Sequence, residues 1–191
     1  MANQNRPKGL VPVRHKNGSP WNQQTTRYYI PSTDTNAYYF GDLVKSAADA
    51  DADGVPQVVK AAAGDTVRGV IVGTTVTGDN LDILNIPATK TRDYYVYVVD
   101  DPSVVFELQD DGAATLTAAA ANKNANFKVA VPTAPANQSA TTLDSTTPNT
   151  TQALPLRILG LRPNQNTPFG AYSVWYVMIN QHELMGNTAG V

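Results

Sequence analysis

The chain contains no cysteine. Disulfides, thiolate metal sites and thiol nucleophiles are therefore excluded, and packing and hydrogen bonding must hold the fold together. Histidine is almost as scarce, with only His15 and His182. A protein metal centre needs three or four convergent ligands, and neither histidine has a second one near it in sequence. Charged residues make up only 16% of the chain, so Thr, Asn, Ala and Gln occupy much of the expected surface. Apolar runs stop well short of the roughly 20 residues that a membrane-spanning helix requires. No apolar stretch follows the first basic residues, so the opening segment does not read as a secretory signal. Internal repeats of 20–50 residues are also absent.

What is present points to one domain of 191 residues, long enough to build a core without staples. Its charge is unevenly distributed. Residues 1–27 hold Arg6, Lys8, Arg14, Lys16 and Arg27 and no acid, a charge of +5. Nine bases and 16 acids remain for residues 28–191, a charge of −7. The first segment also carries Pro, Gly, Asn and Gln with no hydrophobic period. It reads as an extended basic N-terminal arm over 1–27, preceding a β domain over 28–191. Val11, Val13 and Trp21 are its apolar anchors, and Arg14, Lys16 and Arg27 the bases that would pair with an acidic partner.

Beyond the arm, short β-branched and aromatic runs alternate with Gly, Pro and Asp turns. Strands are expected at 38–45, 55–61, 66–76, 94–99, 104–109, 127–131 and 141–145, with a further short one at 81–86. Residues 43–61 read as a hairpin with an Ala/Asp tip ending in Asp53-Gly54. Gly69 and Gly73 within a strand suggest a bulge or a close backbone approach. Thr117–Ala121 predicts one short helix capped by Thr117. The strongest β signal is Leu154–Met185. A strand from Leu154 to Leu161 meets turn residues Pro163, Asn164, Asn166, Pro168 and Gly170. A second strand, Tyr172–Ile179, has only Ser173 polar. Being apolar on both faces, it predicts a central strand. The fold class is all-β: a compact β-barrel or jelly-roll-like sandwich with an extended N-terminal arm and one short helix.

Several motifs invite a chemical reading and resist it. Asp49, Asp51, Asp53 and Gly54 copy the first half of a calcium-binding EF-hand loop. Its twelfth position is Lys60 and not Glu, Pro56 interrupts it, and no helix flanks it, so a solvated hairpin tip is expected. Asp100-Asp101 and Asp110-Asp111 sit at strand ends before Pro102 and Gly112, where Asp serves turns. His182 and Glu183 lack a nominated nucleophile. The glycines at 69–78 lack the Gly-Lys-Ser/Thr of a phosphate loop. No cofactor or metal and no enzymatic activity are expected. Direct nucleic-acid binding is disfavoured because the acidic body would repel the backbone that the arm attracts.

The segments VPVRHKNGSPWN at 11–22, TRYYIPSTDTNAYYFGDLV at 26–44, VVFELQDDG at 104–112, KNANFKV at 123–129 and LPLRILGLRPNQNTPFGAYSVWYVMINQHEL at 154–184 resemble the capsid cement, or head decoration, proteins of tailed bacteriophages. The resemblance touches most of the chain apart from the polar stretches near 46–64 and 132–153. It implies a compact β-barrel or jelly-roll-like domain on the outer surface of the virion. The implied partner is the major capsid protein lattice, and homodimers or homotrimers of the chain are also implied. The implied role is mechanical resistance to internal DNA pressure, with the N-terminal arm contacting the lattice. The alternative is a β-sandwich carbohydrate-binding or adhesion module displayed on a particle surface. In that case Tyr38, Tyr39, Tyr94, Tyr95, Tyr97 and Tyr172 would stack on sugars.

Overall fold

The computed structural model describes residues 3–78, 81, 85–133, 136–163 and 169–185. The turn residues Asn164, Asn166 and Pro168, and residues 82–84 of the strand expected at 81–86, lie outside this set. The all-β expectation holds. Among the described residues, twelve strands and one short 3-10 turn follow in chain order: β1 (Val11–His15), β2 (Thr26–Ile30), β3 (Leu43–Ala50), β4 (Pro56–Lys60), β5 (Gly69–Thr74), β6 (Tyr94–Val99), β7 (Val104–Gln109), the turn Ala118–Ala120, β8 (Asn124–Ala125), β9 (Phe127–Lys128), β10 (Thr142–Leu143), β11 (Leu156–Leu161) and β12 (Val174–Ile179).

The strands sort into a closed barrel and an open sheet. The barrel runs β2-β4-β3-β5-β6, and the sheet runs β1-β7-β12-β11-β8, with β9 and β10 forming a separate pair. Closing the barrel requires a parallel contact, with Tyr29 of β2 opposite Gln57 of β4. The barrel is filled by alternate residues of its strands, including Tyr28, Ile30, Val44, Val58, Ile71, Tyr94, Val96 and Val98. A larger core joins its end to the sheet, bringing Leu43, Val67, Val70 and Val99 against Phe106, Leu108, Trp175 and Val177.

Local signals landed well. β3 and β4 form the expected hairpin. β5 carries a bulge between Ile71 and Gly73. A Cβ on Gly69 would lie 2.3 Å from the Val99 carbonyl oxygen, the close approach that its position in the strand suggested. β11 and β12 pair as one antiparallel hairpin, with β12 flanked by β11 and β7. Its burial nevertheless alternates along Val174–Ile179: Trp175, Val177 and Ile179 face the core, and Val174, Tyr176 and Met178 stay half-exposed. Centrality in the sheet did not require burial on both faces.

Other expectations need correction. Residues 3–27 do not form an extended arm outside the domain. β1 is a strand of the sheet, pairing Val11 with Glu107 and His15 with Val104, and Leu10 is 1% exposed within the larger core. Arg27 lies inside β2, a barrel strand paired with β6. The physical reason is that β1 finds its partner about 90 residues away in β7, a pairing that no local period announces. The strand expected at 38–45 starts only at Leu43, because Gly41 turns the chain at φ +92°. The short helix is a single 3-10 turn over Ala118–Ala120, and Thr117 makes no side-chain cap. The expected strands at 127–131 and 141–145 shrink to two residues each.

Candidate interaction surface

The N-terminal segment is strapped down along its length. Asn3 Nδ2 donates to the Ala171 carbonyl at 3.3 Å. Gln109 reads both sides of the next stretch: its Nε2 donates to the Gln4 carbonyl at 2.9 Å, and its Oε1 accepts from the Arg6 amide at 2.8 Å. Leu10 N–H then donates to the Gly41 carbonyl at 3.0 Å, tying the segment to the barrel. After β1 the chain turns at Lys16–Ser19 and returns. His15 N–H donates to the Ser19 carbonyl at 2.8 Å, and Trp21 N–H to the Val13 carbonyl at 3.2 Å. The return stretch therefore covers part of the free edge of β1, and Pro12 withholds one amide from the remainder.

The six residues expected to make contact are thus divided. Val11 and Trp21 come together. Both line an open groove of about 470 Å³ between β1 and the barrel wall, with Phe40, Val72 and Tyr97 opposite. Val11 and Tyr97 are 38% and 39% exposed, high values for residues of their size in a sheet. Trp21 packs against the core, and among the described residues its buried Nε1–H has no hydrogen-bond partner. Val13 sits within β1 and engages Trp21 through its backbone. Arg14 lies apart from the groove, its guanidinium 5.7 Å from the centre of the Tyr176 ring. Lys16 is at the exposed turn, with its amide on the Ser103 carbonyl. Arg27 is on the barrel wall, stacked 3.7 Å from the centre of the Tyr95 ring.

The acidic motifs serve structure. One Asp51 oxygen accepts from the amides of Asp53 and Val55, and the other from the Tyr95 hydroxyl at 2.7 Å. Desolvation, the largest single influence, raises its pKa, but these bonds and the Arg27 charge together outweigh it and hold the carboxyl below its usual range. Asp49 is turned onto the Ala50 amide. Asp100 accepts from Thr26 Oγ and the Tyr28 hydroxyl. Asp101 caps the turn through the Ser103 amide at 2.7 Å and faces His15 Nδ1 at 3.2 Å. Glu183 binds the Ser46 amide and hydroxyl and lies 3.9 Å from Arg68, so the His182–Glu183 pair anchors the end of the sheet to the barrel. Of the six tyrosines considered for sugar stacking, Tyr38 and Tyr94 are buried inside the barrel, and Tyr95 and Tyr97 face outward from β6.

Residues outside the first segment complete this surface. Glu107, Arg162, Val174 and Tyr176 stand next to Arg6, Lys8 and Arg14 on the open face of the sheet. Glu107 is the charged residue of β7 and Arg162 follows β11, whereas Val174 and Tyr176 lie in the run read as apolar on both faces; that β1 lies beside them was not legible. No protein-family model, curated protein or solved structure matches the chain.

Proposed function

We propose that this protein is a head decoration protein of a tailed bacteriophage. It binds the outer surface of the capsid and stabilises the major capsid protein lattice against internal DNA pressure. The groove between β1 and the barrel carries the reading. There Val11 and Trp21, both from a segment that resembles the decoration proteins, converge with Tyr97 into an apolar, partly exposed concavity. Apolar area left open beside a polar, weakly charged surface suits docking to another protein. The segment acts as a ridge built into the domain, already ordered before contact, so little chain entropy is lost on binding.

The second reading, a carbohydrate-binding module, rests on Tyr95 and Tyr97. Arg27 already covers the Tyr95 ring, and Tyr29 packs beside it with ring centres 5.9 Å apart, which leaves Tyr97 as the open platform.

The test is co-sedimentation of the purified protein with heads that lack decoration. Wild type should saturate at a fixed copy number per head and raise the temperature at which heads rupture. Val11→Asp and Tyr97→Asp should keep the melting temperature and weaken attachment by roughly tenfold or more, the usual scale for a central apolar contact. Failure of the wild-type protein to co-sediment overturns the reading, and specific retention on a glycan array would favour the second one.

A further inference from the structure

The open face of the sheet holds a second, smaller feature. Strand pairing sets Val11, Glu107 and Tyr176 in one row across β1, β7 and β12. Arg6, Lys8 and Arg162 share with Glu107, Val11 and Val174 a cleft of about 160 Å³. Arg162 Nε lies 3.4 Å from Glu107 Oε1. Arg14 stands beside the cleft on the ring of Tyr176. One carboxylate therefore faces three basic side chains within the cleft and a fourth at its edge, and Arg6, Lys8 and Arg162 are all exposed. This positive excess sits on a protein whose net charge is −2.

We infer that this cleft receives a carboxylate-bearing segment of a partner protein. The volume suits one or two side chains, and Val11 and Val174 supply apolar contact beneath the charged groups. Guanidinium groups match a carboxylate through paired N–H donors. Gln109 fixes the backbone at Gln4 and Arg6, so the basic residues are positioned before the partner arrives. A nucleic acid fits less well. Arg14 occupies the Tyr176 ring on which a base would stack. The inference rests on the decoration reading for where the partner is found, and names the chemistry of that partner's surface.

The experiment titrates full-length, isotope-labelled protein at low salt with two probes. One is a capped peptide of alternating Glu and Gly, and the other is a thymidine oligonucleotide of the same net charge. The peptide should shift the amide resonances of Lys8, Val11 and Val174. Arg6→Gln with Lys8→Gln should weaken it by roughly tenfold or more, the scale of removing close charge pairs. Lys123→Gln with Lys128→Gln removes the same charge elsewhere and should leave the affinity within about twofold, since screening limits distant charges. Equal loss in both double variants, or tighter binding of the oligonucleotide, overturns the inference. Decoration of heads is scored in parallel. Heads that bind wild type and Arg6→Gln/Lys8→Gln alike, with no peptide binding, sink the inference and leave the decoration reading standing. Peptide captured at the cleft without attachment to heads does the reverse.

Discussion

Asp110 and His182 are buried titratable residues that the fold treats in opposite ways. Asp110 accepts from the amides of Gly112, Tyr172 and Ser173 at 2.9, 2.8 and 3.0 Å and from Trp175 Nε1 at 3.3 Å. Burial still raises its pKa above the usual carboxylate range. It is the turn residue expected before Gly112, but its reach to the start of β12 is a tertiary fact. His182 is 1% exposed. Its Nδ1 accepts from the Leu184 amide at 3.0 Å, which places the proton on Nε2, and among the described residues that nitrogen has no partner. Burial pushes its pKa down to about 4 from 6.5. The sign of the pH effect follows. Above pH 6.5 the imidazole is neutral folded and unfolded, so it contributes no pH dependence. Below that, the unfolded chain binds a proton that the native state refuses, and stability falls until about pH 4. The full loss is about 3 kcal/mol. Urea midpoints at pH 7 and pH 4.5 test this: wild type should lose more stability than His182→Gln over the interval, and parallel losses would show that another group carries the effect.

At the scale of elements, the N-terminal strand is where expectation and structure part. An arm outside the domain would tolerate removal. A strand that plugs the core with Leu10 and borders β7 does not. Deleting residues 2–24 should therefore abolish soluble folding, as judged by circular dichroism and expression yield. Losing a buried Leu costs about 2–5 kcal/mol before any strand pairing is counted. Gly41→Ala tests the same junction more gently. A Cβ there would lie 2.4 Å from the Lys8 carbonyl oxygen, at a φ of +92°. That substitution should lower stability by about 1–3 kcal/mol, the usual cost of forcing a side chain into such a conformation. An unchanged melting temperature would mean that the N-terminal segment can lift away from the barrel.

For the whole molecule, barrel and sheet are distinct sheets joined by one core. β6 and β7 are consecutive, separated only by Asp100–Ser103, yet one closes the barrel and the other lies in the sheet between β1 and β12. Val99 and Val104, at either end of that connection, are in the same cluster. The barrel cannot unfold without uncovering Phe106 and Trp175. Thermal unfolding should accordingly be a single transition, with far-UV dichroism and Trp fluorescence coincident. Two separated midpoints would show that the barrel and the sheet are independent units.

The all-β class, the β3–β4 and β11–β12 hairpins, the bulge region at Gly73 and the turn roles of Asp51, Asp101 and Asp110 were legible in the chain alone. Those features depend on neighbours in the chain: alternation, φ-permissive glycines and side chains that reach amides two to four residues away. Long-range packing placed β1 in the sheet, closed the barrel through a parallel β2–β4 contact and brought Val11 to Trp21 and Tyr97 in one groove. It also decided that Arg6 and Lys8 gather around Glu107 with Arg162, a residue over 150 positions further on. Pairings of that span pay for loop closure with the burial of a core shared by distant strands, and no window of sequence contains both partners.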